Sequence, residues 1–367
     1  MIDIKKPVVL GVVASLALGI FAAVPTAHAD PVSDSYVAVG SDTLDASMNA
    51  LTNGTLATGA AVRITAGSSN LASYDAFGSA TISTTSGGPY FPRPSGSGAG
   101  VTALMASIQG TSYGSPAVNI AGQVDIARSS SGPGTNANAA GKLIYVPYAR
   151  DAVSYMYIPD PAHPADLANL TTAQLKSLYT TGGTTIGSTV VTPAIPQSSS
   201  GTRKFFLSAL GISSDASCPL AICTTSTLPE NDATQITAVG SVMPFSVANW
   251  IAQSNLVAQN TIPASGAVKL GAPNGVATYT GTGSALVPSS TFYSAAPFGR
   301  DTYLVVEYAR IDSTSPTYDA TLAGLVDSTV ATSLTNFGTA PSQPGAVKKK
   351  FGFLAPSTTT PQRAYTW

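Results

Sequence analysis

The sequence predicts an α/β protein with enough chain for two lobes. Short strand-like runs alternate with helix-period segments from end to end, and several of those switches pass through a loop of glycine and hydroxyl residues. The 367 residues are 44% hydrophobic and 10% charged, which is ample for an extensive core. No repeat with a period of about 20–50 residues recurs, so a repeat array is excluded. The formal net charge of -1 offers no basic face for nucleic acid.

The first segment reads as a targeting signal rather than as fold. Lys5 and Lys6 precede an apolar run from Val8 to Val24, and Ala27-His28-Ala29 has the small-x-small form of a cleavage site. Residues 1–29 are therefore expected to be a signal peptide, with a mature start at Asp30 and a secreted or periplasmic location. An uncleaved membrane anchor is the alternative, because the run could nearly span a bilayer. Residue 30 is Asp, so no lipid-anchored cysteine follows the site.

Val37-Ala38-Val39 is the first strand, followed by the turn Gly40-Ser41-Asp42-Thr43 and a helix carrying Leu44, Met48 and Leu51. Val62-Arg63-Ile64 reads as another strand. Gly96-Ser97-Gly98-Ala99-Gly100 opens a helix whose apolar residues Val101, Leu104, Met105 and Ile108 fall on one face, ending at Gly110. Val124–Ala127 is a short buried strand leading into Arg128-Ser129-Ser130-Ser131. Lys142 to Tyr148 and Ala152 to Ile158 read as two strands with Asp151 between them, suited to crossing between lobes. Thr171 and Gln174 form a capping box at the start of a helix with Leu175, Leu178 and Tyr179 inward. Val190 to Ile195 is a strand. Glu230-Asn231-Asp232 precedes a further strand and a helix through Trp250, Arg300 to Tyr308 is a strong strand, and Leu322 to Leu334 suits a helix. Lys348-Lys349-Lys350 reads as a solvated charge run.

The stretch with most chemical content is Gln197-Ser198-Ser199-Ser200-Gly201-Thr202-Arg203. It leads into Phe205, Phe206, Leu207 and Leu210, and so reads as a hydroxyl-rich loop opening a helix. A helix N-terminus presents unpaired N–H groups and partial positive charge, and hydroxyls add donors at the same point. An oxyanion is the natural guest of such a place. Ser199 or Ser200 acting only as an N-cap, with Arg203 in water, is the alternative.

After removal of residues 1–29, His163 is the only histidine, and it lies in the loop Pro161-Ala162-His163-Pro164. A Ser-His-Asp hydrolase and a histidine-rich zinc site are both disfavoured, and neither a metal nor a cofactor is expected. Cys218 and Cys223 could form a disulfide in an oxidising compartment, closing a loop so small that it would contribute only about 2 kcal/mol.

Taken in order, Gly40-Ser41-Asp42-Thr43-Leu44, Gly96-Ser97-Gly98, Val124 to Ser130, Leu170 to Leu175 and Ser199-Ser200-Gly201-Thr202 resemble the PstS-like phosphate-binding proteins of ABC transporters. The resemblance covers most of the chain beyond residue 29. It implies the two-lobed type 2 periplasmic-binding-protein fold with a ligand cleft between the lobes. Residues 30–150 plus 295–367 would form lobe 1, and residues 151–294 lobe 2. It also implies a monomer that binds phosphate without catalysis, with an ABC transporter permease as partner. Thr43 would donate its hydroxyl and Leu44 its backbone N–H. Ser97 and Ser130 would lie at the second and third loops, and Ser200, Gly201 and Thr202 would bind from the opposite lobe. Two departures stand out. Ser130 occupies the place where the family has an aspartate, and Pro196 the place of an arginine. Arg128 and Arg203, and more distantly Arg300, could restore the positive charge. The missing carboxylate leaves phosphate and sulfate undistinguished. A secreted module for a different, uncharged ligand is the first alternative, and a hydrolase with Ser200 as nucleophile the second; the latter lacks an activating base.

Overall fold

The computed structural model describes residues 30–31, 36–212 and 226–366. The expected signal peptide and both cysteines, Cys218 and Cys223, lie outside the described residues. Among the described residues, no helix is long and apolar enough to cross a membrane.

The framework is one mixed sheet of ten strands: β1 (Tyr36–Gly40), β2 (Leu71–Ser73), β3 (Ile126–Ser129), β4 (Leu143–Tyr157), β5 (Thr184–Ile186), β6 (Thr189–Pro193), β7 (Ser241–Ser246), β8 (Lys269–Leu270), β9 (Gly299–Glu307) and β10 (Gln362–Ala364). Its order is β2-β1-β3-β9-β4-β7-β6-β5, with β8 and β10 also pairing with β4. The helices that matter for the site are α1 (Asp45–Asn53), α2 (Ser97–Gln109), α3 (Thr172–Thr181), α4 (Gly201–Ala209) and α5 (Val247–Ser254).

Side chains on β1 alternate in the way a sheet buried on both faces requires. Val37 and Val39 enter one core with Tyr145 and Val305, whereas Ala38 enters a second with Leu44, Met48, Val146 and Leu304. A third core is separate. It draws on Ala152 through Phe298, including Tyr155, Leu175, Tyr179, Phe206, Phe245 and Trp250. The chain thus packs around three cores, and one long strand runs from the first two into the third.

The crossing is β4. Where the sequence suggests two strands, Leu143–Tyr157 runs unbroken for 15 residues. Its first part, through Ala152, pairs with β9, and from Val153 onward it pairs with β7. Asp151 lies one residue before the last of the β9 pairs gives way to β7, and its cross-strand neighbour is Arg300.

Three other expectations shift. Val62 makes only an isolated bridge to Thr55, and the Arg63 side chain donates to the Thr52 carbonyl. The helix expected over Leu322 to Leu334 stops at Val326, where Asp327 ends it by accepting N–H and O–H bonds from Thr329. Lys348 is not solvated. It is fully buried, donates to the carbonyls of Tyr148 and Leu334, and lies over the rings of Tyr148 and Phe337. Burial pulls its amine well below the ordinary lysine value.

Two glycines set how closely α2 approaches β1. Gly40 has φ +115°, and a Cβ there would meet the Arg128 carbonyl at 2.7 Å. A Cβ at Gly100 would meet the Gly40 Cα at 2.6 Å. Both opposing atoms are backbone and have no rotamer to yield. Gly100→Val should therefore cost about 2–3 kcal/mol of stability, as overpacked sites do; chemical denaturation monitored by circular dichroism measures it, and a change below about 0.5 kcal/mol would contradict the close approach.

Candidate functional site

The site begins with two short segments that face each other across the crossing. On one side, β1 ends at Gly40, and a 3-10 turn over Asp42–Leu44 leads into α1. Thr43 sits in that turn, buried, with its N–H and hydroxyl both directed to the gap. On the other side, Ser200 is the N-cap of α4, accepting the Arg203 N–H at 3.0 Å. Thr202 follows in the first turn of the helix, and its N–H is one that no helical carbonyl can satisfy.

An acidic side chain fills the space between them. The Glu230 carboxylate accepts on Oε1 from the Thr43 N–H at 3.3 Å and the Thr43 hydroxyl at 2.9 Å. It accepts on Oε2 from the Ser200 hydroxyl and from the Thr202 N–H at 3.3 Å. One oxygen is therefore held by each side, and the residue is only 1% exposed. Sequence reasoning passes over Glu230. A lone carboxylate in a turn carries no local signal of what it will meet 187 residues away.

Arg300 supplies the positive charge. Its Nη2 lies 2.9 Å from Thr202 Oγ1, 3.3 Å from Thr43 Oγ1 and 2.8 Å from Asp151 Oδ2. The Thr43 and Thr202 hydroxyls are 3.3 Å apart. The cation at one end and the carboxylate at the other fix the sense of this chain: Arg300 donates to Thr202, Thr202 to Thr43, and Thr43 to Glu230. Arg300 Nη1 is buried and has no hydrogen-bond partner among the described residues.

Asp151 anchors the arginine. It is fully buried and accepts from Arg300 Nε and Nη2, from the Ser246 hydroxyl at 2.9 Å and from the Ala248 N–H at 3.0 Å. The last two place it at the N-terminus of α5, which favours a negative charge.

Other expected residues fall around this centre. The Ser97 and Ser130 hydroxyls bond each other at 3.2 Å, and Ser97 also accepts the Ser130 N–H at 3.0 Å. A Cβ at Gly201 would collide with both hydroxyls, so glycine is what lets α4 approach them. Gly98 N–H donates to the Ser199 carbonyl at 3.0 Å, and the Ser199 hydroxyl and Gln197 side chain both donate to the Ser95 carbonyl. These bonds tie the loop before α2 directly to the loop before α4.

Three of the residues expected to bind ligand are engaged elsewhere. Arg128 is buried and directs its guanidinium into its own side of the structure, to the carbonyls of Ala38, Ser41 and Tyr74, the Ser73 hydroxyl and the Asp45 carboxylate. A full set of nearby acceptors, invisible in the sequence, claims it. Leu44 gives its N–H to the Ser41 carbonyl at 3.4 Å and its side chain to the core, so the backbone donor in this turn is that of Thr43. Arg203 is buried and donates to the Pro196 carbonyl at 3.0 Å.

An open cavity of about 270 Å³ adjoins the site. Asp42, Asp45 and Asp75 line it from one side, and Asn231, Asp232 and Gln253 from the other. Burial, and then the neighbouring Glu230 carboxylate, push Asp42 up to about 8. Asn231 offsets this in part by donating to Asp42 at 3.2 Å.

No protein-family model and no curated protein matches this sequence. Solved structures do match its fold. One is a Clostridium perfringens protein described as a putative phosphate ABC transporter substrate-binding protein and solved with bound phosphate. It is 12% identical at a TM-score of 0.50, with 88% of this chain and 99% of that one covered. Another is an ABC-type phosphate transport receptor from Vibrio cholerae, 15% identical at a TM-score of 0.48, covering 88% and 100%. At such identities the Clostridium match shows a shared two-lobed α/β fold.

Two measurements test this geometry. Asp151→Asn leaves Arg300 buried without its counter-charge and should cost about 3–5 kcal/mol, read from denaturant midpoints; a loss under about 1 kcal/mol would contradict the pairing. For Asp42 the folded-state value lies above the unfolded 3.8. Between those values the folded state holds a proton that the unfolded state has lost, so stability falls as pH rises from about 4 to about 8. Asp42→Asn should remove that contribution, and its melting temperature should decline less than the wild type's over the same interval.

Proposed function

We propose that this chain is an exported, non-enzymatic binding protein that holds inorganic phosphate, or a closely similar oxyanion, between its two lobes. Delivery to an ABC transporter permease is the accompanying role. One observation carries the reading: a backbone N–H and hydroxyl from the Asp42–Leu44 turn and the same pair of donor types from the start of α4 converge on one carboxylate. The fold shared with the Clostridium perfringens protein that was solved with phosphate supports the same choice of anion.

A catalytic role for Ser200 has little to build on. His163 pairs with Asp160 in an exposed loop, at 3.2 Å. The Ser200 hydroxyl caps α4 and donates to Glu230, so it is engaged in structure and in anion-type recognition at once.

Titration calorimetry with phosphate and sulfate, carried to about millimolar concentration, tests the proposal. Phosphate should give saturable heat, and Thr43→Val should weaken it about 10–100-fold, the value of a lost hydrogen bond to a charged group. Heat from neither anion, in folded wild type and in folded Glu230→Ala alike, would reject it.

A further inference from the structure

We infer that Glu230 is a tethered competitor for the oxyanion site: its carboxylate sits where the anion binds, holds the lobes together in the anion's absence, and must leave before the anion enters. This inference rests on the phosphate reading for the identity of the anion, but its lobe-holding part does not.

The geometry is that of a ligand. A carboxylate is an oxyanion, and each of its two oxygens is bound by a different lobe. Every one of these donors is one an incoming phosphate would need, so the two cannot occupy the site together. Among the described residues no ion pair holds Glu230, and its neighbour Asp42 offers it no counter-charge. Its position is thus held by the Thr43, Ser200 and Thr202 donors and by the field of Arg300, not by a structural ion pair of the kind that claims Arg128.

Exchange has a physical route and a physical cost. Pro229 and Asn231, which flank Glu230, line the open cavity beside the site. That space lies beside the segment that carries the side chain. Once there the side chain meets the carboxyl groups of Asp42, Asp45, Asp75 and Asp232, and no basic residue lines that space to hold it. The competitor is therefore biased toward the seat, and free anion must overcome that bias. An apparent affinity falls in proportion to the fraction of molecules whose site is open.

Two roles for a carboxylate here are separable. A proton acceptor for monohydrogen phosphate would help phosphate and repel sulfate, which has no proton to give. A competitor obstructs both anions.

The experiment compares wild type, Glu230→Ala and the near-isosteric Glu230→Gln in the full mature chain. Phosphate and sulfate are the calorimetric titrants, and small-angle X-ray scattering without either anion is the second readout. The side-chain amide in Glu230→Gln would present an N–H₂ group to donors, so it should also leave the seat if the carboxylate charge is what holds it there. Both variants should bind both anions at least about 10-fold more tightly than wild type, and should be more extended than wild type without anion. Unchanged or weaker binding of phosphate by both variants overturns the competitor, and weakening of phosphate alone assigns Glu230 as a proton acceptor instead. Scattering identical to wild type overturns the lobe-holding role. Extended variants that bind neither anion uphold that role and overturn the phosphate reading instead.

Discussion

The buried pair of Asp151 and Arg300 is the interaction on which the site depends. It lies where β4 changes partner, so the same two residues mark the end of one half-sheet and the start of the other. Burying two charges is expensive, and the attraction between them offsets that cost only when the remaining hydrogen-bonding capacity is also satisfied. Asp151 meets that condition with the Ser246 hydroxyl and the Ala248 N–H. The same Ser246 caps α5 by accepting the Asn249 N–H at 3.1 Å, and Asn249 in turn donates to the Thr43 carbonyl at 3.0 Å. The crossing strand, the helix behind it and the turn that carries Thr43 are therefore a single hydrogen-bonded unit. Arg300 is positioned by that unit and reaches Thr202 from it.

Positive charge in this site is thus borrowed from the fold. Arg128 and Arg203, which flank the expected motifs, are both engaged with carbonyls of their own surroundings. The arginine that reaches the gap comes from β9, 98 residues beyond Thr202 in the chain. A guanidinium held by a carboxylate on one edge still has donors on the other. This lets Arg300 polarise two threonine hydroxyls while its charge is compensated, so the gap is attractive to an anion without an unpaired buried cation being needed to make it so.

What is legible in the sequence follows from how local each signal is. The helices α1, α2 and α3 are readable because periodicity, a glycine at each C-cap and the Thr171–Gln174 box are local properties. Thr43, Ser200 and Thr202 stand out because hydroxyls at helix starts have a local physical rationale. Arg128 misleads because a side chain's direction depends on acceptors from distant segments, here Ser73 and Tyr74 on one side and Ala38 on the other. Glu230 and Asp151 are silent for the same reason. Each is an acid with no local motif around it, and only the fold decides that one lies between two threonines and the other beside Arg300. Lys348 looks like one of three solvated lysines, yet its amine is taken up by two carbonyls and two aromatic rings, one of them 200 positions away in the chain.

The donors that remain unspent bear on the shape of the proposed guest. A carboxylate offers two oxygens in one plane, and Glu230 uses both, one for each lobe. That leaves Arg300 Nη1 buried without a hydrogen-bond partner among the described residues. It also leaves Ser97 and Ser130 bonded to each other, close to Gly201, in a pairing that either hydroxyl could exchange for an incoming acceptor. Buried polar groups left unsatisfied are costly, and folded proteins hold few of them. A carboxylate presents its two oxygens and their lone pairs in one plane, whereas a tetrahedral oxyanion presents four oxygens in three dimensions. The site is accordingly better provisioned than its internal occupant requires, and the surplus has the form a tetrahedral oxyanion would use.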